Sequence, residues 1–340
     1  MSIRQLMGVS PDCRDVEWLK RSLQFAIQLE LSTIPPYLCG MWSIIDRDDP
    51  VRNHIRLIVL DEMLHMGLAC NMLATLGGLP QINNPCAVPT YPGHLPGDVR
   101  PQLVVWLAGF SRAMVRAVYM EIEYPENGPI TRFLGESVPT IGAFYDAICG
   151  AFGALDPSDI KKERQITEPI LGVTAINSIA DAECAIKKIK EQGEGTSQDP
   201  FPSDHPSDRA HYYRFAEVYY GRELVKIAGK WQYAGDQVKL PAAYPMAEVP
   251  ADGYAESNDF DRMYTEILND LQSTWEKGGQ LGQAALSDAI KKMKARAFAD
   301  AATDLMKRPL PSGSGNYGPS FRLIKKGLAL SKRAGVRTDV

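Results

Sequence analysis

The sequence predicts a mainly α-helical fold, a bundle of long helices with additional helices and long loops. Three observations lead to this prediction. Apolar residues recur every three or four positions over long stretches, proline and glycine mark the ends of these stretches, and the alternation typical of strands is scarce. The chain has 340 residues, of which 45% are hydrophobic and 23% charged, so it can bury a large core.

Composition and charge argue against several functional classes. The chain carries 37 Lys and Arg against 41 Asp and Glu and has no basic block, which argues against a nucleic-acid partner. No apolar run reaches the roughly 18 residues of a membrane span, and no secretory apolar segment opens the sequence. The six cysteines are scattered without a C-x-x-C pair, unlike a disulfide framework or a thiolate zinc site. We therefore expect a cytoplasmic protein that binds neither nucleic acid nor membrane.

The first long helix, predicted over residues 16–45, carries a carboxylate on its apolar face. Glu30 falls within a stripe that consists of Leu23, Ala26, Ile27, Leu31, Ile34, Leu38 and Met41. A buried carboxylate is costly unless it is paired, protonated or bound to a metal, so a partner must face Glu30. Pro35 and Pro36 lack backbone donors, and we expect a kink or a short irregular turn there, opening space beside Glu30.

The second long helix, predicted over residues 51–76, ends at a Gly-Gly pair before Pro80 and runs antiparallel to the first. Glu62 lies in its apolar stripe, and His65 follows three residues later. At this spacing both side chains project from one face and can bind the same ion. A solvated or singly hydrogen-bonded pair has the same E-x-x-H pattern, but the facing Glu30 favours a metal.

The remaining sequence predicts further helices joined by irregular segments. The crossover spans 78–100, helices are predicted at 101–123, 139–155, 170–192 and 207–226, a Pro-rich aromatic piece spans 231–250, and two helices follow at 258–276 and 284–307. A Gly/Ser/Pro-rich loop after them is predicted to wrap the surface. We divide the chain into a helical bundle with the metal site, 1–230, and a C-terminal helical extension packed on it, 231–340.

The second half of a two-metal site is expected from the later helices. Asp208 and His211 repeat the i, i+3 spacing, and the alternative is that Asp208 caps its helix while His211 packs in the core. The last carboxylate is Glu121 or Glu123. If the helices predicted over 101–123 and 207–226 pack antiparallel, Glu123 lies near His211. Counting the apolar stripe through Phe110, Met114 and Val118 instead favours Glu121. A solvated helix end is the third interpretation.

Several motifs carry a family resemblance. They are QLELSTIPPYL, DEMLHMGLACNMLATLGGLP, MEIEYPE, TIGAFYDAI, KEQGEGT and AHYYRFAEVYYGR. Together they resemble the ferritin-like proteins related to the N-terminal part of the iminophenyl-pyruvate dimer synthases, the VioB/RebD type of bis-indole pigment biosynthesis. The resemblance covers about residues 15–230, and the C-terminal segments FDRMYTEIL and YGPSFRL look similar too.

This resemblance implies a ferritin-like four-helix bundle with additional helices, and a set of metal ligands. The implied positions are Glu30, Glu62, His65, Glu123 and His211. Asp208 stands where these proteins tend to have glutamate, and Ala143 where glutamate is common. The large additional region of the pigment synthases has no counterpart in these 340 residues. The metal-binding bundle is therefore carried over, and the imine-coupling activity is not.

Carboxylates combined with imidazoles favour iron or manganese over metals that prefer softer ligands. The predicted ligands are Glu30, Glu62, His65, Glu123, Asp208 and His211, holding two iron ions, with manganese as the alternative. The leading hypothesis is a non-haem di-iron oxidase or oxygenase of secondary metabolism that acts with dioxygen on a small, amino-acid-derived or aromatic metabolite. The alternatives are a non-catalytic metal-binding or storage bundle and a metal-free binding module. Assembly into a homo-oligomer is left open.

Several further residues could border the site but are more typical of other roles. Core packing is the expected role of Tyr37, Tyr145, Tyr212 and Tyr213. Glu194 is expected to be a loop carboxylate.

Overall fold

Helices dominate the structure, as the sequence predicts. The computed structural model describes residues 2–125, 140–168, 170–196, 199–203 and 208–324. The helices are α1 (Ile3–Met7), α2 (Val16–Ser43), α3 (Pro50–Thr75), α4 (Arg112–Met114, a π-helical segment Val115–Tyr119, and Met120–Ile122), α5 (Ile141–Gly153), α6 (Ile179–Glu194), α7 (His211–Tyr220), α8 (Asn258–Lys277), α9 (Gly279–Lys294) and α10 (Arg296–Met306). Two antiparallel strand pairs accompany them, β1 (Gly93–His94) with β2 (Val104–Val105) and β3 (Arg222–Ile227) with β4 (Lys230–Gln237).

The two long helices α2 and α3 pack against each other and form the centre of the bundle. Each begins at a capping aspartate: the backbone N–H of Trp18 donates to Asp15 and that of Val51 to Asp49, both over 2.8 Å. By length and composition α3 could cross a membrane, but 78% of its most apolar window is buried inside the protein. It is therefore the core helix of the bundle.

The prolines of α2 do not end the helix, which continues through Pro35 and Pro36 to Ser43. Proline at position 36 cannot donate to the carbonyl of Ser32, and the buried hydroxyl of Tyr91 donates to that oxygen instead, over 2.7 Å. The helix thus keeps its carbonyl satisfied with a donor from the crossover. One turn further on, Gly40 leaves room for Tyr119, since a Cβ at this position would overlap the tyrosine hydroxyl.

The predicted helix over 101–123 is wrong in its first half. Strand β2 pairs with β1 there, and the following residues bond to a remote segment: Val249 N–H donates to the carbonyl of Leu107 (2.9 Å) and Gly109 N–H to that of Met246 (3.1 Å). These backbone bonds replace the intrahelical ones, so helix α4 starts only after Ser111, whose hydroxyl accepts from the third residue of the helix.

Other predicted boundaries also need correction. Helix α6 begins nine residues later than predicted, because Ser178 caps it. The predicted helix over 207–226, of which residue 207 lies outside the described residues, is helical only from His211 to Tyr220. Gly221 then adopts a left-handed conformation, and a β-hairpin follows that the sequence analysis missed. The predicted helix over 284–307 is two helices that meet at Ala295.

The C-terminal helices pack on the bundle through an aromatic cluster. Trp42 of α2 stacks on Phe321 with ring centroids 6.2 Å apart, and meets Phe298 of α10 edge-on at 5.4 Å. Phe321 is buried, so the end of the described Gly/Ser/Pro-rich segment is anchored in the core rather than wrapped over the surface. Residues 325–340 lie outside the described residues, and the division at residue 230 stays a prediction.

Candidate metal centre

Five acidic and histidine side chains from four helices meet inside the bundle. Glu30 comes from α2, Glu62 and His65 from α3, Glu123 from the residue after α4, and His211 from the first position of α7. All but the half-buried Glu123 are buried. Burial of this many titratable groups in an apolar core requires a compensating charge.

The five side chains form two groups that share Glu62. In the first, His65 Nδ1 lies 3.7 Å from Glu30 Oε2 and 3.9 Å from Glu62 Oε1. In the second, His211 Nδ1 lies 3.0 Å from Glu62 Oε1 and 3.6 Å from Glu123 Oε2. Ligands that bind an ion at about 2.1 Å are separated from one another by about 3–4 Å. Each group therefore has the spacing of an ion site, with Glu62 between the two sites.

Both imidazoles are oriented by an acceptor behind them. His65 Nε2 lies 2.8 Å from the amide oxygen of Gln192, and His211 Nε2 lies 3.2 Å from Asp61 Oδ2. Because these partners accept, we assign the proton to Nε2 in each ring. The Nδ1 lone pair then points to the carboxylates. Metal-binding histidines are commonly held in this way by a second hydrogen bond.

Each carboxylate is held by a hydroxyl at one oxygen and faces a histidine Nδ1 with the other. The hydroxyl donors are Thr33 to Glu62 Oε2 (2.7 Å), Tyr37 to Glu123 Oε1 (2.5 Å) and Tyr145 to Glu30 Oε1. Core packing was the expected role of the two tyrosines, but in the structure the hydroxyl of each donates to a candidate ligand. The free oxygens and the two imidazoles thus converge on the same space.

The electrostatics of the cluster fit a cation. The buried Nδ1 atom of His211 faces the carboxylate oxygens of Glu62 and Glu123 without a well-aligned hydrogen bond to any residue that the structure describes. Burial lowers the pKa of His211, but the carboxylates of Glu123 and Asp61 outweigh burial and bring that pKa well above its ordinary value. Burial and the neighbouring Glu123 raise the pKa of Glu62 to about 7. Without a metal, bound protons supply the positive charge that the buried carboxylates require.

The structure separates the two glutamates that the sequence left open. Glu121 binds Arg100, 2.6 Å away, and Arg116, both outside the cluster, while Glu123 faces His211. The stripe count failed because Val115–Tyr119 is a π-helical segment, which turns less per residue than an α-helix and so shifts the inward face toward Glu123. Such segments are frequent at functional sites.

Asp208 does not join either group. Helix α7 begins at His211, so the predicted i, i+3 pair on one helix does not exist. Asp208 instead pairs with Arg214 at 2.5 Å, and its side chain is 51% exposed. The spacing argument holds only inside a helix, and the described residues 208–210 before His211 are not helical.

Two residues at the back of the site were missed by the sequence analysis. Gln192 continues the buried stripe of Ala182, Ala185 and Ile189 on α6, so its inward position could have been predicted from the helical period. Asp61 stands next to Glu62 and carried no separate signal. The hydrogen bond of Gln192 to His65 and that of Asp61 to His211 assign these two residues to the site.

A cavity opens beside the carboxylates, with an empty volume of about 540 Å³ including its mouth. Its lining includes the apolar residues Leu29, Ile122, Ile141 and Ile189, the charged residues Lys190 and Glu194, and the candidate ligands Glu30, Glu62, His65 and Glu123. Glu194 is the last residue of α6 rather than a loop carboxylate, and Gly142 leaves room for it.

Comparison with known proteins supports the fold. A family model described as Ferritin-like matches residues 23–220, which include all five clustered residues. The crystal structure of a ferritin-like protein from Caulobacter vibrioides aligns with a TM-score of 0.59 and 21% identity, covering 89% of this chain and 96% of that chain. No curated protein matches the chain. The chain belongs to the ferritin-like family.

Proposed function

We propose that this protein is a two-metal oxidase or oxygenase that acts with dioxygen on a small, amino-acid-derived or aromatic metabolite. One observation carries the proposal. Three carboxylates, each held by a hydroxyl at one oxygen, turn the other oxygen toward two oriented imidazoles, and a cavity lies beside them. This arrangement leaves room for a substrate next to the metals.

The donor set favours iron, with manganese as the alternative, because carboxylate and imidazole ligands suit both. One ion would be held by Glu30, Glu62 and His65, and the other by Glu62, Glu123 and His211. Bound iron would supply the reaction with dioxygen. Asp208 is not included, since it pairs with an arginine outside the cluster.

The protein's own residues would orient the ligands and receive the substrate. Gln192 and Asp61 keep the imidazoles in one tautomer and one orientation, which lowers the cost of metal binding. The apolar side chains in the cavity wall would limit the access of water to the carboxylates. Lys190 and Glu194 line the same cavity, and Lys190 is held at its wall by Asp146, 2.5 Å away.

The relationship to the iminophenyl-pyruvate dimer synthases is part of the proposal. It is supported by the motifs around Glu30, Glu62 and Glu123 and agrees with a function in secondary metabolism in the cytoplasm. The proposal covers the metal-binding bundle and not the imine-coupling reaction.

The first test is the metal content of the full chain. Protein from cells supplemented with iron and manganese, and apo-protein loaded anaerobically with ferrous iron, would be analysed by inductively coupled plasma mass spectrometry. We expect about two ions per chain, as in two-metal carboxylate bundles. Glu62→Gln should lower the occupancy of both positions and Glu123→Gln that of one. Glu121→Gln, two residues away but bonded to arginines, is the matched control and should keep both ions.

The second test measures dioxygen consumption by the ferrous-loaded protein with aromatic amino acids and their α-keto acids. Consumption that depends on a substrate and is lost in Glu62→Gln supports the enzyme. Tight metal binding without such consumption would favour the storage bundle. Absence of stoichiometric metal after anaerobic loading would overturn the proposal and favour a metal-free binding module.

A further inference from the structure

A second cavity lies between the bundle and the C-terminal helices, with an empty volume of about 810 Å³ including its mouth. Helices α2 and α3 form one wall and helices α8 to α10 the other. No residue that lines this cavity also lines the cavity beside the metal centre. On α2 the two faces are offset by one residue, Leu31 and Ile34 here against Glu30 and Thr33 there, which is about 100° around the helix.

The lining of this second cavity is apolar and rich in aromatic rings. Trp42, Trp275, Phe298 and Phe321 contribute rings. Met63 and Met66 of α3 add flexible thioether side chains, which adapt to irregular ligand shapes and contact ring edges favourably. Apolar walls offer water few hydrogen-bond partners. An aromatic molecule suits such walls better than a polar one.

One polar group in the lining lacks a partner. The hydroxyl of Tyr264 is buried and makes no hydrogen bond within the described part of the chain. By contrast, Trp275 Nε1 donates to Asn71 Oδ1 over 3.0 Å. A buried hydroxyl without a partner is unfavourable, and such groups in native proteins are few. The described chain thus supplies no acceptor to this hydroxyl, and water or a bound molecule can provide one.

We propose that this cavity binds a small aromatic molecule with one hydrogen-bond acceptor, such as a carbonyl oxygen, which accepts from the hydroxyl of Tyr264. The ligand would lie between the rings of Trp42 and Trp275 and connect the bundle to the C-terminal helices. The proposal does not depend on the metal centre, because the two cavities share no residue. Binding is thus expected with apo-protein as well as with metal-loaded protein.

A matched pair of probes tests the proposal on the full chain. 2-Acetylnaphthalene carries a carbonyl oxygen, whereas 2-isopropylnaphthalene has nearly the same shape without an acceptor. Both would be titrated by calorimetry and by the fluorescence of the tryptophans. We expect the ketone to bind about fivefold more tightly, the difference that one hydrogen bond makes. Tyr264→Phe should abolish this difference, and Tyr254→Phe, whose hydroxyl bonds the carbonyl of Glu248 elsewhere, should preserve it.

The place of binding is checked by nuclear magnetic resonance of methionine methyl groups. The signals of Met63 and Met66 should shift on addition of the ketone, while that of Met7, far from the lining, should not. Three results would each overturn the proposal. They are no binding of the ketone, equal affinities of the two probes for the unmodified protein, and unshifted Met63 and Met66 signals.

Discussion

Replacing Gln192 by methionine should weaken one metal position and leave the other intact. Gln192 is buried, and its amide oxygen accepts from Nε2 of His65 over 2.8 Å. Methionine keeps the length of the side chain but offers no comparable acceptor, so a buried N–H loses its partner. Loss of such an outer partner costs about 10–100-fold in metal affinity, or about 1.4–2.8 kcal/mol at 1.4 kcal/mol per tenfold change. Without metal, the unpartnered N–H should destabilise the fold by about 1–3 kcal/mol.

The assay is an anaerobic calorimetric titration of apo-protein with ferrous iron. Only the position that contains His65 should lose affinity, because His211 keeps its own acceptor, Asp61. Gln280→Met, at an exposed position of α9, is the matched control and should bind as the unmodified protein does. Equal weakening of both positions, or unchanged affinity at both, would refute the argument that each imidazole is oriented by its own acceptor.

Three further predictions follow from contacts around the centre. Gly40→Ala should lower the free energy of unfolding by about 1–3 kcal/mol, since its Cβ overlaps the hydroxyl of the buried Tyr119; an unchanged melting temperature would contradict this. Asp208→Asn should leave the metal content unchanged, as its side chain is half-exposed and outside both ligand groups; loss of one ion would restore it as a ligand. Tyr37→Phe should weaken the ion held by Glu123 about tenfold in a ferrous titration, because it removes the hydroxyl that orients this carboxylate, and equal affinity would argue against that role.

The helical period was enough to predict three of the five clustered residues. Glu30, Glu62 and His65 lie on regular α-helices, where a spacing of three or four residues places side chains on one face. Each could therefore be assigned to the interior from its neighbours in the sequence alone. The family motifs supported the same residues, and the buried cluster contains them.

The same reasoning failed where the backbone departs from the α-helix. The π-helical segment before Glu123 shifts the inward face, and the described residues 208–210 before His211 are not helical. Counting residues therefore favoured Glu121 over Glu123 and placed Asp208 beside His211. The first half of the predicted helix over 101–123 was lost to backbone hydrogen bonds with residues about 140 positions later, which no local pattern reveals.

By itself, the sequence determined that the protein is mainly helical and that carboxylates and a histidine face the interior of two long helices. Only the tertiary structure decided which further residues complete the cluster and which groups orient it. Gln192 reaches His65 because α6 packs on α3, and Asp61 reaches His211 because α3 packs on α7. Hydroxyls from two helices, α2 and α5, hold the carboxylates. Local periodicity specifies the direction of a side chain on its helix, whereas its partner depends on the packing of remote elements.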